Sequence, residues 1–524
     1  MNIPWLSIIL WLPLAAGLIA LLLPRGTRAK GDMAALVAII GAIITLALSV
    51  LVYIRFDNAL SSYQFEENVN WLPSVGASYH LGVDGISLGL MLLTAFLAPL
   101  VLLYLANRSD SSGSIYFAIL ALETSLLGVL LSADLLLFYV FWEAMLIPMY
   151  FLISVWGGER RAYGSLKFIL YMMVGSLLML VGILWFYWWY HAHVGPFTFN
   201  LSDWILMNGT PGARIPHDVQ LWMFGFFFIS FAIKVPLFPF HSWLPDAQAE
   251  GPVAFNVMLV EVGAYAFIRF CLPLFPAASL TWAPAIMTLA VINVIYGAVM
   301  AIVQQDMKRL FAYAGMSHAG FIILGIFSLT QQGIEGSILY MINSGLTGAG
   351  LFFIADLLYR RRGSRAIRDF GGMAAAAPVF FFVFMVTALA AIGLPGLNGF
   401  TSEFLVLVGA IRANAVSPVF GYFAASGVVL SSIYMLWMFQ RVMYGRRPAP
   451  LDGVADLQPD ENTTLWPLIA TFILIGVWSA LVTQPMQPSV NATISAIDRG
   501  AGPTQTAPAL DLLMPGAGMG AMTR

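Results

Sequence analysis

The 524-residue chain has a single cysteine, and only 10% of its residues are charged. Cys271 alone excludes an internal disulfide, a Cys-ligated iron–sulfur cluster and a multi-Cys zinc site, so any redox centre the chain serves sits on another polypeptide. A soluble protein of this size would carry roughly 25% charged residues. The formal net charge of −2 also lacks the basic excess expected of a nucleic-acid binder. What the chain has in abundance is apolar sequence, 60% of the total. It reads as an all-α, polytopic membrane protein with no water-exposed segment large enough to be a soluble domain.

Apolar stretches of spanning length fall near 4–24, 33–54, 85–107, 114–132, 134–156, 163–190 and 219–249, then 252–275, 281–303, 307–328, 334–359, 376–411, 417–440 and 463–483. These predict about fourteen transmembrane helices. The first lacks a basic lead and a small-residue cleavage site, so it reads as a retained span. With the N-terminus outside, the inner loops carry Arg25, Arg28, Lys30, Arg108, Arg160, Arg161, Lys308, Arg309, Arg360, Arg361, Arg362, Arg365, Arg368, Arg441, Arg446 and Arg447. The outer segments carry Arg55, Arg214, Arg412, Arg499 and Arg524. That asymmetry predicts both termini on the outer side. The segments 55–84 and 191–218 are expected to form short ordered covers, and the tail after Gln484, rich in Pro, Gly, Ala and Thr, to stay unstructured.

Ionisable residues inside the predicted spans are few: Glu123, Glu143, Lys167, Lys234, Glu261, Arg269 and Glu403, with His241, Glu250 and His318 near breaks or ends. A charge at mid-membrane costs about 2.5 to 3.5 kcal/mol on insertion scales and should face protein or water. In FAIKVPLFPFHSWLPDA, Lys234 is followed by Pro236, Pro239 and Pro245 around His241; in GLPGLNGFTSEF, Pro395 and three glycines precede Glu403. Each proline removes a backbone donor, and irregular backbone is tolerated at this depth only where it lines a cavity. Broken helices at corresponding places in two halves point to a transport site. An internal echo supports two halves: ILYM occurs at 169–172 and 338–341, and the same displacement carries Lys234 onto Glu403. Five spans per half invert the second copy. The organisation expected is a three-helix region over 1–110, a first inverted repeat over 111–280, a second over 281–445, and a C-terminal helix and tail over 446–524.

Each charge also has a plainer role open to it. Lys234 can snorkel, Glu143 can be a protonated acid bonded to a neighbouring helix, and Glu403 can cap its broken span. His318 is either a satisfied interhelical histidine or a proton carrier. Glu123, Lys167 and Arg269 fit structural ion pairs, Arg269 best, and the His191/His193 pair reads as solvated.

FYVFWEAMLIPMYFLI around Glu143, FAIKVPLFPFHSWLPDA around Lys234, DMKRLFAYAGMSH around His318 and GLPGLNGFTSEF around Glu403 resemble subunit M, or chain 4, of the proton-pumping NADH:quinone oxidoreductase, respiratory complex I. LGVDGISL at 81–88 is similar to that subunit's third-span entry, and the resemblance extends from about 80 to 445. It implies fourteen helices in two inverted five-helix repeats, with helices 7 and 12 broken. It implies a bacterial inner-membrane location beside subunits L and N, and no cofactor on this chain, since NADH, FMN, iron–sulfur clusters and quinone belong to partners. By position, Glu143 and Lys234 become an interacting acid and lysine, Glu403 the terminal acid and His318 a polar-axis residue. Two positions depart from the pattern: MLVEVGAYAFIRF has Glu261 where a lysine is usual, and MINSGL has Ser344 where a histidine is usual. Glu261, His318 or His241 is then left to carry the centre of the relay. A subunit of a multi-subunit Na+/H+ antiporter, the membrane arm of an ion-pumping hydrogenase and an inert scaffold are the alternatives.

Overall fold

The computed structural model describes residues 3–23, 32–106, 112–207, 213–446, 448 and 455–501. Arg25, Arg28, Lys30, Arg108, Arg447 and Arg524 of the charge tally lie outside these. In order, the elements are α1 (Trp5–Leu22), α2 (Met33–Arg55), β1 (Gln64–Leu72), β2 (Ala77–Val83), α3 (Gly85–Ala106), α4 (Gly113–Leu131), α5 (Leu135–Ala144), α6 (Leu146–Trp156), α7 (Arg161–His193), α8 (Leu201–Met207) and α9 (His217–Lys234). There follow α10 (Trp243–Glu250), α11 (Val253–Val257), α12 (Val262–Ala266), α13 (Leu272–Leu274), α14 (Pro276–Ile302), α15 (Met307–Phe327), α16 (Gln331–Arg362), α17 (Met373–Ala376), α18 (Pro378–Ala391), α19 (Asn398–Ile411), α20 (Val419–Met443), α21 (Pro459–Val477) and α22 (Ala480–Ala501).

Among the described residues, eleven helices are long and apolar enough to cross a bilayer, and the pair α21–α22, bent by 61°, makes at most a twelfth. The full count of fourteen is not reproduced. The two other expected spans are those interrupted at prolines: α9 stops at Lys234, and α18 and α19 are 14 residues each.

Helix ends follow local chemistry. The Asp32 carboxylate accepts from Ala34 and Ala35 N–H to start α2, Asp134 from Leu136 and Leu137 to start α5, and Asp306 from Arg309 to start α15. Gly363, at φ 71°, ends α16 in the left-handed conformation that costs glycine least. The segment 55–84 forms the expected cover as an antiparallel hairpin, with Glu67 opposite Leu81 and Val69 opposite Tyr79. Glu67 reaches back to accept from Leu6 N–H at 2.7 Å, satisfying a free donor at the start of α1.

Burial separates a centre from a rim. The spans Met307–Phe327 and Val253–Leu274 are each 89% buried, whereas Val419–Met443 is 33% buried and Trp5–Leu22 39%. Rim helices turn apolar side chains such as Leu166, Leu170 and Val174 outward, as lipid-facing surfaces do.

The tail departs from expectation: residues 480–501 form α22. Met486, Val490 and Ile497 recur at helical spacing and are buried, and the Gly85 N–H donates to Ser489 Oγ at 3.2 Å. Composition alone missed this because the prolines at 485 and 488, each of which removes a backbone donor, read as helix breakers, yet both are accommodated inside α22. Residues 502–524 fall outside the described chain.

Candidate functional site

Four of the charged side chains inside the bundle, Glu143, Lys234, Glu261 and Glu403, sit at or beside helix interruptions. Glu143 is the penultimate residue of α5, and Pro148, lacking an N–H for the Ala144 carbonyl, separates α5 from α6. Lys234 is the last residue of α9. Glu261 precedes α12 in a stretch that the sequence predicted as continuous helix; α11 stops at Val257, and a π-helical turn over Phe267–Cys271 follows α12. Glu403 lies in α19 just past the turn at Gly393–Leu397.

Backbone groups freed at the break after Lys234 find partners. After Lys234, the Leu237 N–H takes the Ala232 carbonyl at 2.9 Å in place of Pro236. Trp243 Nε1 donates to the Ile233 carbonyl at 2.8 Å, and Asn293 Oδ1 accepts the Phe238 N–H at 2.9 Å. At the second break, Gly393 (φ 71°) lies against Glu403; a Cβ there would stand 2.3 Å from Oε2. Glycine therefore makes room for the carboxyl.

Lys234 is 6% exposed, with its stem against Gly263 and Nζ 3.7 Å from Met149 Sδ. The expected contact with Glu143 is not a direct one. The carboxylate fields that reach Lys234 are those of Glu261 first and Glu143 second. Glu143 has Tyr139 within hydrogen-bonding reach and an unpartnered, buried Oε1.

Lys234, Glu261, His318 and Ser344 line one cavity of about 60 Å³, together with Gln248 and Asn256. That exceeds the roughly 10–15 Å³ needed to admit a water molecule, and the lining supplies polar partners. His318 Nε2 is buried without a partner. The His318 ring meets Tyr340 edge-on, with centroids 5.6 Å apart, and the Tyr340 hydroxyl donates to Glu403 Oε1 at 2.9 Å. Lys234, Glu261 and His318 thus share one cavity, a ring contact joins His318 to Tyr340, and a hydrogen bond joins Tyr340 to Glu403.

Tyr340 was absent from the sequence-based set. Its signal was the ILYM echo: the matching residue of the first copy, Tyr171, shares a hydrogen bond of 2.8 Å with Ser242 beside the first break. His241, by contrast, lies off the cavity, stacked on Phe238 and edge-on to Tyr296 with Nδ1 unpartnered. Lys167 forms an ion pair with Asp246 at 2.8 Å, and Arg309 joins the same carboxylate at 2.9 Å. Arg269 makes a two-pronged pair with Asp84, at 2.6 and 2.8 Å. Both fulfil the ion-pair expectation. Glu123 does not: it is 0% exposed, and neither oxygen has a hydrogen-bond partner. His191 and His193 stack on Phe197 and Trp189, respectively, with Nδ1 against backbone carbonyls.

The family described as NADH:quinone oxidoreductase/Mrp antiporter, TM, matches residues 132–431, which include Glu143, Lys234, Glu261, His318 and Glu403. The chain is 41% identical over 533 aligned residues to NADH-quinone oxidoreductase subunit M of Mycobacterium tuberculosis, covering 95% of each protein. It is 37% identical over 505 residues to the subunit M of Rhodobacter capsulatus, covering 93% of this chain and 95% of the relative. Its fold matches a chain of respiratory complex I from Thermus thermophilus with bound NADH, at a TM-score of 0.84 and 32% identity, covering 94% of this chain and 99% of the other. From motif, length and fold together, this chain belongs to the NADH:quinone oxidoreductase/Mrp antiporter membrane family and, within it, groups with the NADH-quinone oxidoreductase M subunits.

Proposed function

We propose that this chain is a proton-translocating membrane-arm subunit of an NADH:quinone oxidoreductase. Electron transfer from NADH to quinone takes place on partner chains, which carry the FMN, iron–sulfur clusters and quinone site. The observation that carries the proposal is the single cavity shared by Lys234, Glu261 and His318 and continued through Tyr340 to Glu403. A change in charge or position near Glu143 alters the field at Lys234, and Lys234 and Glu261 then exchange a proton across the cavity water. His318 and Tyr340 pass it on, and Glu403 releases it on the far side. Moving one charge against 100 mV takes about 2.3 kcal/mol, equivalent to under two pKa units at about 1.4 kcal/mol each. Local rearrangement of a few side chains supplies that much. Glu261 fills the place of the usual lysine by serving as a carrier itself. His241 sits off the line and positions the first break.

The start of α16 lies 170 residues after that of α7, and the two are 32 and 33 residues long. This supports two inverted repeats, over 111–280 and 281–445, between the region 1–110 and the segment 446–524. The arginine-rich loops support both termini on the outer side of a bacterial cell membrane, with the subunits named L and N as neighbours. Purification of the native assembly tests the proposal. It should carry NADH:quinone activity and acidify vesicles on NADH addition; sodium-dependent proton exchange by this chain without NADH would overturn it in favour of an antiporter.

A further inference from the structure

Two polar spaces approach each other inside the bundle and stop short of joining. At the arginine-rich face, a cleft of about 840 Å³ is walled by Glu250, Gly251, Asp306, Lys308, Asp356 and Arg365. The central cavity begins one turn deeper on the same two helices. From α15, Lys308 faces the cleft, and Phe311 and His318 face the cavity; from α16, Asp356 faces the cleft, and Phe352 and Ser344 face the cavity. Where the two spaces meet, the rings of Phe311 and Phe352 close on each other edge to face, with centroids 5.9 Å apart and planes at 84°. Gly251 forms the remaining wall. Its carbonyl accepts Lys308 Nζ from the cleft side at 2.9 Å and Asn256 Nδ2 from the cavity side at 3.3 Å, so this partition is one peptide thick. Just inside it, Gln248 Oε1 and Asn256 Oδ1 are buried and have no partner.

We propose that the Phe311–Phe352 pair is a hydrophobic gate through which water enters the central cavity from the arginine-rich cleft. Packed rings leave no room for a molecule about 2.8 Å across, and an apolar constriction of that width stays dry until its walls part. The unpartnered oxygens of Gln248 and Asn256 accept hydrogen bonds from the first waters past the rings. Lys308, held on the Gly251 carbonyl, keeps the partition in place while the rings move. The gate rests on the function proposed above only for the meaning of what crosses it, since the wetting itself is a property of the walls.

Thiol accessibility in the intact complex tests this. Ser344→Cys places a near-isosteric thiol in the cavity, and the chain's own Cys271 is fully buried. Membrane vesicles of each orientation are exposed to a small, charged methanethiosulfonate, and modification of this chain is followed by mass spectrometry. Opening the gate with Phe311→Ala, or independently with Phe352→Ala, should raise the modification rate of Ser344→Cys at least ten-fold from the arginine-rich face alone. Phe311→Trp should lower it. An unchanged rate in both alanine variants, or a rise only from the opposite face, would overturn the gate. If the rates respond as expected while Lys234→Ala pumps normally, the gate stands and the proposed function falls.

Discussion

Replacing Tyr340 by phenylalanine removes one oxygen from the line between His318 and Glu403 and leaves the ring that packs against His318 and Phe321 in place. The ring's volume is nearly unchanged, so overpacking and cavity costs are small. What goes is the hydrogen bond of 2.9 Å to Glu403 Oε1, in surroundings where both residues are buried. A hydrogen bond to a charged group contributes about 1.5–3 kcal/mol. At about 1.4 kcal/mol per decade, the balance between the two protonation states of Glu403 changes by a factor of about 10 to 150. Phenylalanine also has no proton to pass. Tyr340→Phe should therefore assemble normally and lower NADH-driven proton translocation in vesicles by about ten-fold or more. Tyr434→Phe is the control: its hydroxyl is buried, has no partner and responds to the field of Glu403, so losing it should cost under about two-fold. Wild-type pumping by Tyr340→Phe, or an equal loss in both variants, would refute the assigned path.

Glu261→Gln should slow translocation by about an order of magnitude, the effect of about 1.4 kcal/mol, because Glu261 exerts the largest carboxylate field on Lys234; Glu261→Asp should retain more activity than Glu261→Gln in the same vesicle assay. Asp84→Asn should destabilise the solubilised chain by about 3–5 kcal/mol, since it leaves Arg269 buried without its partner. Burial works against ionisation of Asp84, but the adjacent Arg269 and the hydrogen bonds from Ser87 and Ile86 outweigh it and hold the carboxyl below the ordinary aspartate range. Its contribution is therefore present above the unfolded value of about 3.9 and is lost as pH falls through the lower folded value. Thermal melts between pH 3 and 7 should show this acid loss in the wild type and a flat difference in Asp84→Asn. Glu123→Leu should raise the melting temperature and leave pumping unchanged, because an unpartnered buried polar group costs about 1–3 kcal/mol.

The sequence made the breaks after Lys234 and before Glu403 legible because proline and glycine announce them chemically. The interruption at Glu261 was hidden: MLVEVGAYAFIRF contains no proline to announce it, although Gly263 just past it packs closely on Lys234 and Val235. Expense pointed to the charges, but expense alone does not sort a relay from a brace. Lys167 and Arg269 found carboxylates on distant segments, Asp246 and Asp84, whereas the Glu123 carboxyl has no hydrogen-bond donor. A tyrosine escapes such a search altogether, because a phenol in an apolar span costs little until a carboxylate meets it. The ILYM echo marked Tyr340 only as a repeated position and not as a partner of Glu403, and nothing in the local sequence of Phe311 and Phe352 separates that pair from ordinary core. The final helix was missed for the opposite reason: a Pro-, Ala- and Thr-rich composition concealed the regular spacing of Met486, Val490 and Ile497.

The most direct measurement is the number of protons moved per NADH oxidised in vesicles carrying Lys234→Ala, with assembly confirmed by the retained partner chains. Loss of the share of pumping that passes through this subunit, with the complex intact, is the predicted result. Wild-type stoichiometry and rate in that variant would contradict the role given to Lys234 and the line of groups built around it.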